Sequence, residues 1–111
     1  MPYKKFENYS QGFPQIGDYV ICQEEDLGDG NAASKEVQKF INNSIGKIIE
    51  VSDEPKLIYP YNVQYQNIPE NIEDAFYSGS SSRKYSRKEI IFFSQNKKDC
   101  EIYLQMKKYN L

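Results

Sequence analysis

Leu57-Ile58-Tyr59-Pro60-Tyr61-Asn62-Val63-Gln64-Tyr65-Gln66 (LIYPYNVQYQ, residues 57–66) carries the clearest local signal in the chain. Tyr59, Tyr61, Val63 and Tyr65 alternate with Pro60, Asn62, Gln64 and Gln66. A period of two with one polar face predicts a strand packed on one side and wet on the other. Pro60 has no N–H to give to a ladder, so it belongs at a sheet edge or a bulge.

On the N-terminal side, Ser52-Asp53-Glu54-Pro55 breaks the chain and separates this strand from another at Ile45–Val51 (IGKIIEV). In that strand Ile45, Lys47, Ile49 and Val51 are expected on one face, and Gly46, Ile48 and Glu50 on the other. Ser34–Asn42 predicts a short helix capped by Ser34, with Val37, Phe40 and Ile41 at helical spacing. Gln23–Asn31 (QEEDLGDGN) reads as an acidic loop. Tyr19-Val20-Ile21-Cys22 is apolar throughout and predicts a strand covered on both faces. Ile16-Gly17-Asp18 reads as a turn in which Gly17 takes a positive φ and Asp18 caps backbone N–H groups. Residues 1–15 read as an arm, with Phe6, Tyr9 and Phe13 as docking anchors.

On the C-terminal side, Pro69–Tyr77 predicts one or two helical turns that pair Ile72 with Phe76. Ser78–Ser82 (SGSSS) reads as a flexible tip, and Glu89–Phe93 (EIIFF) as the last strand. An amphipathic helix follows, opened by Ser94 or Asn96, with Cys100, Tyr103, Leu104 and Leu111 on one stripe. Lys107 and Lys108 at its end suit the helix dipole.

The 111 residues are enough for one small domain with one core. Leu, Ile, Val and Phe make up about 23% of the chain, supplemented by ten Tyr, which favours a folded domain over disorder. No apolar run approaches a membrane span, and Met1–Ser10 does not read as a secretory signal. The chain has no His, which excludes histidine metal sites and most catalytic triads. The formal net charge of −2 gives the whole chain no electrostatic drive toward nucleic acid. Residues 1–55 are acidic and residues 56–111 basic, so the molecule is expected to be electrically two-sided if the fold keeps these halves apart. Cys22 and Cys100 belong to no C-x-x-C pair and read as reduced thiols of a cytoplasmic protein.

Ile16-Gly17-Asp18-Tyr19-Val20 resembles the "x-G-D-x-V" opening of SH3-like barrels, including Tudor-type and KOW-type modules. Ser44-Ile45-Gly46-Lys47-Ile48 is similar to their second strand and Tyr61-Asn62-Val63-Gln64-Tyr65 to their third. Arg87-Lys88-Glu89-Ile90-Ile91 is similar to their closing "x-x-E-I". The resemblance implies a mainly β fold: an arm over 1–15, an SH3-like small barrel, partly open, over 16–93, and a C-terminal α-helix over 94–111 packed on the barrel. The same order of motifs is similar to small proteins of phages and large DNA viruses. Lys outnumbers Arg 12 to 2, and Ile, Asn and Tyr are abundant, which fits such A/T-rich genomes. A viral protein of this kind would work in the host cytoplasm or the virion.

Three places carry candidate chemistry. Tyr19, Tyr61 and Tyr65 are a candidate ligand surface: an aromatic cage for a methylated lysine needs several ring faces around one cation. The plainer reading of a Tyr stripe at strand spacing is cross-strand packing. Arg83-Lys84-Tyr85-Ser86-Arg87-Lys88 is a basic cluster with an aromatic inside it. It reads either as a nucleic-acid contact, with Arg83 and Arg87 on phosphates and Tyr85 stacked on a base, or as a solvated loop leading into a strand. Glu24–Asn31 resembles a calcium loop only superficially, because Val37 stands where the closing Glu is required; an acidic loop that docks a basic partner is the better reading. No catalytic constellation appears, and no cofactor or metal is expected. The sequence therefore points to a non-catalytic binding or structural module that recognises a protein partner. Its alternatives are RNA or DNA binding through residues 83–88, or a part in a virion whose arm orders on a partner.

Overall fold

The computed structural model describes residues 12–24 and 35–109, and the structural statements that follow concern those residues. The elements are β1 (Tyr19–Cys22), α1 (Lys35–Asn42), β2 (Gly46–Val51), β3 (Tyr61–Gln64), β4 (Ser82–Tyr85), β5 (Ile90–Ser94) and α2 (Lys97–Tyr109). Short 3-10 turns cover Glu70–Ala75 and Arg87–Glu89. The strands form one antiparallel sheet in the order β4-β3-β2-β1-β5. No ladder joins β4 to β5, so the sheet is open at both edges and is not closed as a barrel. What holds of the expected architecture is the five-stranded antiparallel sheet with its C-terminal helix.

Each face of the sheet carries its own apolar cluster. The larger one gathers Val20 and Cys22 of β1, Val37 and Ile41 of α1, Ile48, Val63, Tyr85 and the 3-10 residue Ile72. The smaller joins Ile21 and Phe92 to Cys100 of α2, with Tyr103 and Leu104 beside it. Val20, Ile21 and Cys22 are all fully buried, as an all-apolar strand requires. Phe92 stacks on Tyr103 with ring centroids 4.6 Å apart. The acidic and basic halves of the sequence do not separate, because β5 lies beside β1 and β3 beside β2.

Two bulges set which side chains face which cluster. In the β2–β3 ladder Ile48 pairs with Val63 and Glu50 with Asn62, leaving Ile49 as the extra residue. An extra residue reverses the alternation beyond it. Gly46, Ile48 and then Val51 therefore face the large cluster, whereas strict alternation placed Val51 with Ile45 and Lys47. The second bulge lies between Ile21 and Cys22 of β1, opposite Ile91 of β5.

The strand expected over 57–66 pairs only over Tyr61–Gln64. Its alternation is real: Tyr61, Val63 and Tyr65 are buried while Gln64 and Gln66 are exposed. Upstream, Leu57 N–H donates to Glu54 O and Ser52 N–H to Pro60 O, so 52–60 is a turned connection. Leu57, Ile58 and Tyr59 are consequently exposed. At the opening turn Gly17 has φ 94°, and Asp18 Oδ2 accepts from Gln15 N–H at 2.8 Å, both as expected. Asn96 caps α2, its Oδ1 accepting from Lys98 N–H at 3.1 Å. Phe6, Tyr9, the Ser34 cap and Leu111 lie outside the described residues.

Candidate functional site

Tyr61 and Tyr65 are buried on β3 and just beyond it, and Tyr19 sits half-buried in the cluster on the other face. Tyr65 meets Phe40 and Phe76 edge-on, each with centroids 5.7 Å away, and its hydroxyl donates to the Tyr85 hydroxyl at 3.0 Å. Burial pushes both of these phenols well above their ordinary range. Lys47 Nζ lies 5.6 Å from the Tyr19 ring on the opposite face. The three rings thus do not converge on one cation; Tyr61 and Tyr65 are spent on packing.

The basic cluster is also placed differently from either sequence reading. Residues 82–85 are the edge strand β4, paired along β3 from Tyr61–Tyr85 to Gln64–Ser82. Tyr85 is 0% exposed, so no base can stack on it. Arg83 Nε donates to Glu24 Oε1, forming an ion pair, and its Nη1 donates to Ala75 O at 2.6 Å. The Arg87 guanidinium donates to Ile90 O at 3.1 Å and Gly12 O at 2.9 Å. It also lies over the Phe93 ring, 5.2 Å from the centroid, and so fastens the segment before β1 to β5. Ser86 N–H donates to Glu89 Oε1 at 2.8 Å and starts the turn into β5. Lys84 and Lys88 are the exposed cations of the segment, Lys84 lying 5.8 Å from the Tyr77 ring.

Both thiols are free and buried, Cys22 in the large cluster and Cys100 in the small one. Burial, reinforced by the Asp99 carboxylate, pushes the Cys100 thiol up to about 12. Cys22 is raised further, with desolvation outweighing a hydrogen bond with Tyr65. Such thiols are the opposite of activated nucleophiles.

Of the acidic stretch, Glu24 is described and is held by Arg83; residues 25–31 lie outside the described residues. Among the described residues no group of three His, Cys, Asp or Glu side chains is placed to hold a metal. No helix there is long and apolar enough to cross a membrane.

What the sequence reading missed is a groove of about 540 Å³ where α1, the Glu70–Ala75 turn and the C-terminal half of α2 meet. Phe40, Pro69, Ile72 and Leu104 make it apolar, and Lys39 and Lys108 stand on its rim. Its members come from three segments remote in sequence, so no local pattern announces it. A second, more polar concavity lies at the β3–β4 connection, lined by Glu73, Asp74 and Tyr77 together with Asn67, Gly79 and Ser81, all three at positive φ. No protein-family model matches the chain, and no curated protein matches it.

Proposed function

We propose that the chain is a non-catalytic, protein-binding module on a partly open sheet of SH3-like small-barrel type. The strand order supports the barrel assignment, because a meander whose last strand returns beside the first is what lets a twisted sheet curl toward closure. The Gly17–Asp18 turn before β1 and the buried Gly46 that opens β2 lend it support.

The observation that carries the binding role is the distribution of exposed apolar side chains. Leu57, Ile58 (71% exposed) and Tyr59 stand together on the β2–β3 connection, and Ile102, Met106 and Tyr109 form an exposed stripe at i, i+4, i+7 on α2. Clustered exposed apolar groups mark recognition surfaces, whereas single ones do not. The arginines and the aromatic of the basic segment, by contrast, are engaged within the molecule. Two buried, raised-pKa thiols favour a reducing compartment and a non-catalytic role. The A/T-biased residue usage fits a virus or one of the bacteria with such genomes; as a viral protein it would work in the host cytoplasm or the virion.

Affinity capture from the native source, comparing the wild type with Ile58→Asp and with Met106→Asp, tests this reading. A protein retained by the wild type and lost by one of the two folded variants supports it. Capture that disappears on nuclease treatment, or only when Lys84 and Lys88 are both changed to Ala, replaces it with nucleic-acid binding.

A further inference from the structure

We infer that the groove between α1, the Glu70–Ala75 turn and α2 docks a short acidic, apolar peptide segment of a partner protein. The inference rests on the protein-binding reading and adds to its exposed apolar surfaces a separate site with its own ligand chemistry. The floor is formed by Phe40 and Leu104, both half-buried, with the buried Ile72 behind them. Phe40 is held in place edge-on by Tyr65 and Phe76, at centroid distances of 5.7 and 6.0 Å. The floor is therefore rigid aromatic and aliphatic surface, which costs little to order on binding.

The volume, about 540 Å³, falls within the ordinary range for small ligand sites. It accommodates one or two bulky side chains rather than a folded domain. The rim sets the charge of the occupant. Lys39 of α1 and Lys108 of α2 are both exposed, and among the described residues neither forms an ion pair. Glu36, the one carboxylate on the rim, is turned to Asn71, whose Nδ2 donates to Glu36 Oε2 at 3.0 Å. The α1 carbonyls nearby are already capped, Lys39 O by Asn43 Nδ2 at 2.8 Å and Phe40 O by the Ser44 hydroxyl at 2.5 Å. Both are thereby poorer acceptors for a cationic guest. An apolar floor between two free ammonium groups fits a leucine or phenylalanine flanked by carboxylates. Charge complementarity of this kind selects the partner and speeds the encounter, while the apolar anchor sets the lifetime.

The test is a fluorescence-anisotropy titration with a short labelled peptide in which a leucine–phenylalanine pair is flanked by glutamates, joined to amide chemical-shift mapping. A second peptide exchanges the glutamates for lysines, and laurate serves as a small apolar anion. The expected result is saturable binding of the acidic peptide, with shifts at Phe40, Ile72 and Leu104. The Lys39→Glu, Lys108→Glu double variant changes only exposed side chains and should bind about tenfold or more weakly, with a flatter salt dependence. The lysine peptide should not bind. The inference is overturned if shifts fall instead on Leu57–Tyr59 or the outer face of α2, if charge reversal leaves affinity unchanged, or if laurate fills the groove and the peptide does not. A natural partner that is lost with Ile58→Asp but kept by the lysine double variant would overturn the inference and leave the protein-binding reading standing.

Discussion

Gly46 shows how one residue ties the sequence to the packing. It opens β2 with its α-carbon against Val63 and Tyr65; a Cβ there would overlap Val63 Cγ1 and lie 3.0 Å from Tyr65 Cε1. Both neighbours are themselves locked, Val63 in the β2–β3 ladder and Tyr65 by its ring partners and its hydroxyl bond. Gly46→Ala is therefore expected to cost about 2 kcal/mol by overpacking, read as a lower urea midpoint at unchanged slope. The thiols give a pH signature at the same scale. Cys100 titrates at an ordinary 9.0 when unfolded and is pushed up to about 12 in the fold. Between those values the unfolded chain gives up a proton that the folded chain keeps, so stability present below about pH 9 falls as the pH rises toward 12. Cys22, Tyr65 and Tyr85 are raised too and push the same way. Thermal unfolding followed by circular dichroism should give a lower midpoint at about pH 10.5 than at about pH 8. An unchanged or higher midpoint contradicts this burial.

At the scale of elements, α2 has a start written into the sequence. Ser94 Oγ donates to Asp99 Oδ2 at 2.6 Å and accepts from Asn96 N–H at 3.0 Å, and Asn96 caps the helix in turn. Asn96→Ala should lose about 1 kcal/mol, with helical signal at 222 nm fraying before the sheet unfolds. What could be read locally follows from what repeats locally. β1, β5 and the buried half of β3 are apolar runs or clean alternations. The stripe of α2 is periodic, and Ile72 and Phe76 both reach the large cluster, Ile72 from the 3-10 turn and Phe76 from the extended residue just after it. β4 could not be read in this way. Its sequence is Ser-Arg-Lys-Tyr, and its buried residues are Ser82 and Tyr85, three apart and so on no single strand face. It is a strand because β3 offers a ladder and Tyr85 has the Tyr65 hydroxyl to meet, both tertiary facts. The bulge at Ile49 was hidden for the same reason, since it depends on the partner strand. Leu57–Tyr59 are exposed because the chain turns over residues 52–60, and the strand-like alternation of 57–66 does not announce that turn.

Across the whole molecule, the basic segment 83–88 is a closing edge of the sheet. Arg83 joins β4 to Glu24 just beyond β1, and Arg87 joins the turn before β5 to Gly12 and Phe93. The Arg83–Glu24 and Arg87–Gly12 bonds cross between the acidic and basic halves of the sequence, as the strand order does. The proposed recognition surfaces, the exposed apolar clusters and the groove, contain none of that segment's residues. The central claim is that residues 82–88 serve the fold and are neither a ligand loop nor a solvated one. Equilibrium urea unfolding of Tyr85→Ala beside Lys84→Ala tests it most directly. Tyr85→Ala is expected to lose about 3–5 kcal/mol, as deletion of a fully buried aromatic does, and Lys84→Ala to stay within about 1 kcal/mol of the wild type. A Tyr85→Ala variant as stable as Lys84→Ala would contradict it.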